Sequence, residues 1–229
     1  MSKFIVANWK SHKNIQGIKN WLTQFQTELA SLPTSAQVIV LPPFPLLTMM
    51  KTQLQQNQPH LELGVQDLSP FPAGAYTGAV TGYNLQDLTV KYALVGHSER
   101  RRYFQENHQQ IANKVAQAVA AEFIPIVCVD EPYLAPQAKA IEKKFYSKCI
   151  IAYEPIKAIG SGKNQAVNKV KQVVAKIQRF FGQVPVIYGG SVKPANAAEY
   201  LLVSDGVLVG GASLDGKKFA RIVKKVEQD

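Results

Sequence analysis

The chain has 229 residues, of which 46% are hydrophobic and 18% are charged. This apolar content excludes an intrinsically disordered chain, and no stretch approaches the ~18 consecutive apolar residues of a membrane-spanning helix. The first residues lack the apolar segment of a secretory signal, so we expect a cytoplasmic protein. Lysine and arginine outnumber aspartate and glutamate by 26 to 16, and the resulting net charge of +10 favours anionic partners.

The positions of the basic residues and of the cysteines bear on two further properties, namely nucleic-acid binding and disulfide formation. The longest basic run, residues 100–102, is short, and no basic surface with interleaved aromatic residues can be located, so we expect no nucleic-acid partner. Two cysteines, Cys128 and Cys149, fit a reducing compartment. On neighbouring parallel strands they would be offset by ~13 Å, and a disulfide needs Cα atoms within ~7 Å. We therefore expect both thiols to be free.

Short β-branched runs alternate with longer amphipathic stretches along the whole chain. Most of the short runs are continuously apolar, which is typical of strands buried on both faces. Eight such strands, at roughly 29 residues per unit, predict an α/β protein with one domain, residues 1–229, folded as a (β/α)₈ barrel. The predicted strands are residues 4–8, 38–41, 61–65, 92–95, 124–129, 150–153, 184–188 and 206–209. The predicted helices are residues 14–30, 46–57, 85–90, 107–121, 165–181, 196–202 and 217–226, with a short, weakly patterned one at 135–145.

Polar residues and glycines follow five of the predicted strands. Each could be an ordinary turn, cap or solvated residue. In a parallel barrel, however, the carboxyl ends of the strands share one face, where the functional site lies. The sequence therefore predicts a site there, formed by Asn8 and Lys10, by His97, Ser98 and Glu99, by Glu154, by Gly189, Gly190 and Ser191, and by Gly210 and Gly211.

Glu154 follows an apolar strand, which would carry its carboxylate into the mouth of the barrel. Burial raises the pKa of a carboxyl group and makes it a stronger base; the alternative is a structural salt bridge. The glycines of residues 158–163, with the apolar Ile159 among them, predict a lid that excludes water. Gly162 and Lys163 do not form a nucleotide-binding P-loop, because Lys157 stands where that motif needs its first glycine.

Two further features concern phosphate and carbonyl recognition. The glycines after the seventh and eighth strands predict phosphate binding by backbone N–H groups, a pattern shared by many phosphate-binding barrels. His97 lies at a predicted helix start, where a neutral imidazole could donate to a substrate carbonyl; a structural histidine is the alternative. No Cys/His spacing predicts a metal, and no dinucleotide motif predicts a cofactor.

Seven strings, in order from end to end, resemble the triosephosphate isomerase family. This resemblance implies interconversion of dihydroxyacetone phosphate and glyceraldehyde 3-phosphate without metal or cofactor. The strings are Ala7-Asn8-Trp9-Lys10, Gly74-Ala75-Tyr76-Thr77-Gly78, Gly96-His97-Ser98-Glu99-Arg100-Arg101, Ala152-Tyr153-Glu154-Pro155, Ala158-Ile159-Gly160-Ser161-Gly162-Lys163, Tyr188-Gly189-Gly190-Ser191-Val192 and Val209-Gly210-Gly211-Ala212-Ser213.

The resemblance also implies a role for each matching residue. Glu154 would be the base and His97 a neutral electrophile, a pairing taken from the family itself. Lys10, helped by Asn8, would stabilise negative charge, with Glu99 close to the substrate. Ile159 and Leu208 would cover Glu154 with apolar surface. The phosphate would be held by Gly160, Ser191, Gly210 and Gly211.

The family is typically a homodimer in which Thr77, at a loop tip, inserts beside the neighbour's active site. Gln66 and residues 74–78 match that loop. The sequence departs from the family at Ala79, where a glutamate that could pair with Arg100 is usual. Residues between Cys128 and Glu154 are about a dozen fewer than is common, which implies a shortened unit around the fifth helix.

A lysine, Lys157, replaces the family's usual lid tryptophan, and we expect it to pair with Glu131. Two other functions remain open at this stage: a catalytically silent phosphate-binding barrel, and a basic nucleic-acid-binding protein on the same fold. Asn8, Lys10, His97 and Glu154 all match the family and favour the isomerase.

Overall fold

The computed structural model describes residues 2–29, 33, 35–57, 61–156 and 164–228. Eight parallel strands follow one another around a closed barrel, and the last pairs with the first. This confirms the predicted α/β barrel. The strands are β1 (Lys3–Asn8), β2 (Ala36–Leu41), β3 (Glu62–Val65), β4 (Val90–Val95), β5 (Ile124–Val129), β6 (Ile150–Tyr153), β7 (Val186–Tyr188) and β8 (Gly206–Val209).

Helices connect the strands on the outside of the barrel. Within the described residues the α-helices are α1 (Ile15–Glu28), α2 (Leu47–Asn57), α3 (Gly82–Leu85), α4 (Ser98–Tyr103), α5 (His108–Ala120), α6 (Glu131–Ala140), α7 (Val167–Phe181), α8 (Ala197–Leu201) and α9 (Gly216–Val223). Short 3₁₀ helices span Phe44–Leu46, Gln86–Leu88, Lys143–Lys148, Gly211–Leu214 and Lys224–Gln228. None of the described helices is long and apolar enough to cross a membrane.

The strands are buried on both faces, as their apolar runs predict. Side chains that point inward form one core inside the barrel, among them Ile39, Leu94 and Cys128. Side chains that point outward, such as Val40 and Val127, form a larger core with the helices. Alternate residues of a strand face opposite sides of a sheet, so each strand contributes to both cores. Cys128 and Cys149 are buried and free, which confirms that they form no disulfide.

The helix predicted at residues 85–90 is wrong. The helix begins at Gly82 instead, because Thr81 and Asn84 form a capping box in which each side chain satisfies the other residue's backbone N–H. A 3₁₀ turn follows and ends where Thr89 adopts a left-handed conformation, with a φ of 53°. Val90 then enters β4, opposite Leu63 of β3.

The helix predicted at residues 135–145 also has wrong bounds. Helix α6 begins at Glu131, where the Asp130 carboxylate accepts a hydrogen bond from the Glu131 backbone N–H at 2.7 Å. Pro132 lies in the first turn, where a backbone N–H has no acceptor within the helix. The helix ends at Ala140, and the 3₁₀ helix leads into β6.

A cluster of four charged side chains lies between the end of β3 and α5. Lys114 contacts the carboxylates of Asp67 and Glu106, each at 2.5 Å. Arg100 contacts the same two residues, Asp67 at 2.9 Å and Glu106 at 2.5 Å. Arg100 therefore has two carboxylate partners in its own chain, although Ala79 offers none.

Candidate active site

A cavity of about 730 Å³ opens at the carboxyl ends of the strands. Glu99 does not line it but contacts Lys10, with 2.5 Å between the carboxylate Oε1 and the ammonium Nζ. The predicted site residues Gly160 and Ile159, and also Lys157, lie outside the described residues. The structure thus brings together on this cavity nine of the predicted residues, namely Asn8, Lys10, His97, Glu154, Gly189, Ser191, Leu208, Gly210 and Gly211.

Glu154 and His97 are in direct contact at the bottom of the cavity. The Nε2 atom of His97 lies 3.0 Å from Oε1 of Glu154, and both side chains are almost completely buried. The second carboxylate oxygen accepts a hydrogen bond from the Ser98 backbone N–H at 3.2 Å. The Cys128 thiol lies beside this carboxylate and helps to lower its pKa. Most buried polar atoms in proteins have at least one hydrogen-bond partner.

The contact changes the protonation of both groups. Burial alone would raise the pKa of Glu154, as the sequence predicts, but the adjacent His97 and its hydrogen bond outweigh burial and lower this pKa. Burial alone would lower the pKa of His97, but the charge of Glu154, the hydrogen bond to Glu154 and the charge of Glu99 together outweigh burial and raise that pKa. In the resting structure Glu154 is therefore an ionised carboxylate held by its neighbour.

The backbone at the start of α4 fixes which nitrogen of His97 carries a proton. His97 precedes the first residue of α4, and its Nδ1 accepts a hydrogen bond from the Glu99 backbone N–H at 3.2 Å. An accepting Nδ1 is unprotonated, so the neutral ring carries its proton on Nε2. That N–H points at Glu154 and into the cavity.

Lys10 is held in an unusual backbone conformation with a φ of 51°. Its backbone N–H donates to Oδ1 of Asn8 at 3.0 Å, and its carbonyl accepts from Nε2 of Gln66 at 2.9 Å. The same Gln66 nitrogen donates to the carbonyl of Leu41 at the end of β2. These bonds direct the Lys10 ammonium across the cavity, toward Glu99 and beside Gly210.

The turn after β7 leaves room for the Glu154 side chain. A Cβ atom on Gly189 would lie 3.0 Å from Cγ of Glu154 and 3.5 Å from Leu208, so Gly189 and Leu208 both border the carboxylate arm. A Cβ atom on Gly190 would lie 2.3 Å from the Tyr188 hydroxyl, closer than real contacts allow. These glycines are therefore needed for close packing around the base.

The turn after β8 brings backbone groups to the cavity. Ser213 is fully buried, and both its hydroxyl and its backbone N–H donate to the Gly210 carbonyl, at 2.7 and 2.8 Å. These bonds close the turn, with Gly210 and Gly211 at the start of a 3₁₀ helix that faces the cavity. The positive end of a helix attracts anions.

Both described flanks of residues 157–163 are anchored to the barrel. The Ile156 backbone N–H donates to Asp130, and the Gln165 backbone N–H donates to the Tyr188 hydroxyl at 3.0 Å. Tyr200 donates to the Gln165 carbonyl, and its ring stacks on Tyr188 with 4.1 Å between centroids. Sequence patterns give no signal for Tyr200, because its contacts exist only in the folded chain.

The expected ion pair between Lys157 and Glu131 lies partly outside the described residues. Within them, Glu131 contacts the ammonium groups of Lys169 at 2.9 Å and Lys176 at 3.4 Å, both on α7. Among the described residues no group of three or more histidines, cysteines or acidic residues could hold a metal ion.

Comparison with known proteins identifies the family to which this site belongs. A family model described as triosephosphate isomerase matches residues 3–226. The triosephosphate isomerase of Mesomycoplasma hyopneumoniae (strain 7448) is 38% identical over 244 residues, covering 97% of this chain and 99% of the relative. Those of Prochlorococcus marinus (strain SARG) and Xanthomonas campestris pv. campestris (strain 8004) are 36% and 35% identical, each over 97% of this chain and covering 98% and 97% of the relative. The chain belongs to the triosephosphate isomerase family.

Proposed function

We propose that this isomerase interconverts dihydroxyacetone phosphate and D-glyceraldehyde 3-phosphate by moving a proton between neighbouring carbons through an enediolate. The observation that carries the proposal is the buried Glu154 carboxylate in contact with the Nε2–H of His97. A base and a hydrogen-bond donor at this distance can act on adjacent atoms of one small substrate.

In the proposed reaction Glu154 removes a proton from C1 of the ketone. The electron pair of that C–H bond then forms a double bond between C1 and C2. The carbonyl oxygen gains negative charge as it does so, and His97 donates a hydrogen bond to it. The Lys10 ammonium, oriented through Asn8, stabilises the same charge. A proton also passes from the hydroxyl on C1 to the oxygen on C2. Return of the first proton from Glu154 to C2, as the carbonyl forms at C1, completes the isomerisation, so no atom is gained or lost.

Substrate binding would prepare the base. A substrate that enters between Glu154 and His97 breaks their contact, which is what lowers the pKa of the carboxyl group. Burial then remains as the dominant influence and raises this pKa. Glu154 becomes a stronger base only when substrate is present.

The phosphate would lie against the turns after β7 and β8. Ser191, Gly210 and Gly211 border the same cavity as the catalytic pair and present backbone at its far side. Gly160 is proposed to join them on the basis of the family resemblance. Binding a phosphate there fixes the distance from the reacting carbons to Glu154.

Replacing Glu154 by Gln tests the role of the base. We expect turnover of glyceraldehyde 3-phosphate in a coupled assay to fall by at least about 10²–10⁴-fold, the usual contribution of a general base. Binding of inorganic phosphate should be retained. Glu142→Gln, at an exposed ion pair, is the control. Wild-type turnover in Glu154→Gln would refute the assignment, and an inactive wild-type protein that still binds phosphate would establish a silent barrel.

The proposal includes a homodimer formed through the Thr77 loop. Residues 71–79 are all exposed, and within this loop the rings of Phe71 and Tyr76 stack at 4.5 Å while both remain more than 40% exposed. An exposed aromatic pair at a loop tip is typical of a surface that another chain covers. In sedimentation experiments the wild type should be a dimer, and Thr77→Arg should dissociate more readily. A monomeric wild type would exclude the proposed homodimer.

We also propose a cytoplasmic location, which the free thiols of Cys128 and Cys149 support.

A further inference from the structure

Arg101 joins the ends of two neighbouring strands behind the catalytic pair. Its Nε donates to the carbonyl of Gly96, the residue that follows β4, at 2.8 Å. Its Nη2 donates to the carbonyl of Cys128 in β5 at 3.0 Å. A single planar guanidinium therefore holds two strand ends in a fixed relation.

Three further side chains hold the guanidinium itself in place. Gln137 of α6 is fully buried, and its Oε1 accepts from Nη2 of Arg101 at 2.9 Å. His108 Nδ1 lies 3.3 Å from Nη1. The Tyr133 ring lies beneath the guanidinium carbon, 4.8 Å from the ring centroid. Because all three guanidinium nitrogens and one face of the group have partners, Arg101 has little freedom to change its position.

Arg101 joins β4, whose end leads into His97, to β5, which pairs with β6, the strand that precedes Glu154. Gly96 directly precedes His97 and has a φ of 69°, so the orientation of its peptide sets the direction in which His97 leaves the strand. The Glu154 backbone N–H donates to the carbonyl of Val129, the residue after Cys128, at 2.8 Å. Arg101, Cys128 and Glu154 also border one very small cavity, of about 10 Å³.

We propose that Arg101 is a positioning residue that sets the distance between His97 and Glu154 through the carbonyls of Gly96 and Cys128. This inference rests on the proposed function, since it assumes that these two residues carry the reaction. Arg101 touches no substrate in this arrangement and acts only through its neighbours. Its loss removes this side-chain link and leaves only the backbone pairing of β4 with β5, which ends at Val95 and Val127.

Lysine at this position keeps the charge but cannot reproduce the planar fork, so Arg101→Lys separates geometry from charge. We expect kcat to fall about 10-fold in Arg101→Lys and about 10–100-fold in Arg101→Met, because small misplacements of reacting groups have effects of this size. The KM and the inhibition constant of inorganic phosphate should stay within about twofold, because binding through β7 and β8 is untouched. The NMR signal of His97 Nε2 should shift in both variants.

The matched control is Arg102→Met, at an exposed neighbouring position of α4 where the arginine lies over the Tyr103 ring. It should leave kcat, KM and the His97 signal unchanged. Circular dichroism measures the folded fraction of each variant; if Arg101→Met does not fold, Arg101→Lys decides the matter.

Wild-type kcat in the folded Arg101 variants, or a loss of kcat no larger than the loss of folded protein, would overturn the inference. So would an unmoved His97 signal. Failure of the proposed function gives a different result, namely an inactive wild type or an active Glu154→Gln variant. Failure of this inference alone gives an active wild type, an inactive Glu154→Gln variant and fully active Arg101 variants.

Discussion

Lys10 illustrates how single residues of the site are placed by their backbone. A positive φ at a non-glycine residue is unfavourable by about 1–3 kcal/mol and persists only where the surroundings impose it. Here Asn8 and Gln66 impose it by bonding to the backbone N–H and carbonyl of Lys10. The result is an ammonium that crosses the cavity mouth instead of extending into solvent.

The coupling between His97 and Glu154 predicts a change in titration. In the wild type, the pKa of His97 is raised above its ordinary value of 6.5 by the carboxylate. In Glu154→Gln the charge is gone and burial remains, so the NMR titration of His97 should move to lower pH. A raised folded pKa stabilises the fold below pH 6.5, and this contribution is lost as pH rises through the folded pKa. An unchanged His97 titration in Glu154→Gln, with Glu142→Gln as the control, would contradict the coupling.

The buried charge cluster predicts a large effect on stability. The Lys114 side chain is 4% exposed and neutralises Asp67 and Glu106. Lys114→Met would leave those carboxylates with Arg100 alone, so the free energy of unfolding in urea should fall by about 3–5 kcal/mol. Lys91→Met, which removes an ion pair at a side chain that is 62% exposed, should change it by about 0–1 kcal/mol. Equal effects of the two substitutions would show that the cluster is not the cause.

The sequence permits prediction of those site residues that follow strands directly. His97, Glu154 and the paired glycines occupy strand ends, and the barrel geometry alone brings them to one face. Arg101, Gln137 and Tyr200 could not be found in this way, because they lie on helices and their partners are distant in the chain. The direction of the pKa shift of Glu154 could not be predicted from the sequence either, because it depends on a 3.0 Å contact with His97.

At the scale of elements, strands are more predictable than short helices in this chain. Strand bounds follow apolar runs, and the predicted ends of β5, β6 and β8 agree with the structure. The bounds of α3 and α6 depend instead on side-chain caps at Thr81 and Asp130. A cap depends on one or two side chains at the end of a helix, and the pattern of apolar residues does not indicate where it lies.

The hydrogen bond between Gln165 and Tyr188 gives a prediction for the segment that leads into α7. Tyr188→Phe removes the hydroxyl that accepts the Gln165 backbone N–H but keeps the ring stacked on Tyr200. We expect hydrogen exchange at Gln165 to become several-fold faster, because one hydrogen bond contributes about 0.5–1.5 kcal/mol. Tyr146→Phe, which loses a hydrogen bond to the carbonyl of Ala138 in α6, should not affect that amide. Unchanged exchange in Tyr188→Phe would refute the anchor.

At the scale of the whole molecule, the net charge of +10 predicts faster capture of an anionic substrate. Salt at ~0.15 M screens charges beyond ~8 Å, so kcat/KM should fall as ionic strength rises. The salt must have a weakly binding anion, because a strongly binding one would compete at the phosphate turns. Turnover at saturating substrate is the internal control and should hardly change. A kcat/KM independent of salt would show that the charge plays no part in capture.

Closure of the barrel joins the first and last parts of the chain. Strand β1 pairs with β8, and Trp21 and Phe25 of α1 pack against Phe219 of α9 with ring centroids within 6 Å. During synthesis on the ribosome, β1 therefore has no second neighbour until β8 has been translated. Until then the nascent sheet has two open edges, each able to pair with a foreign strand. We therefore expect protection by chaperones to matter until β8 emerges and closes the barrel.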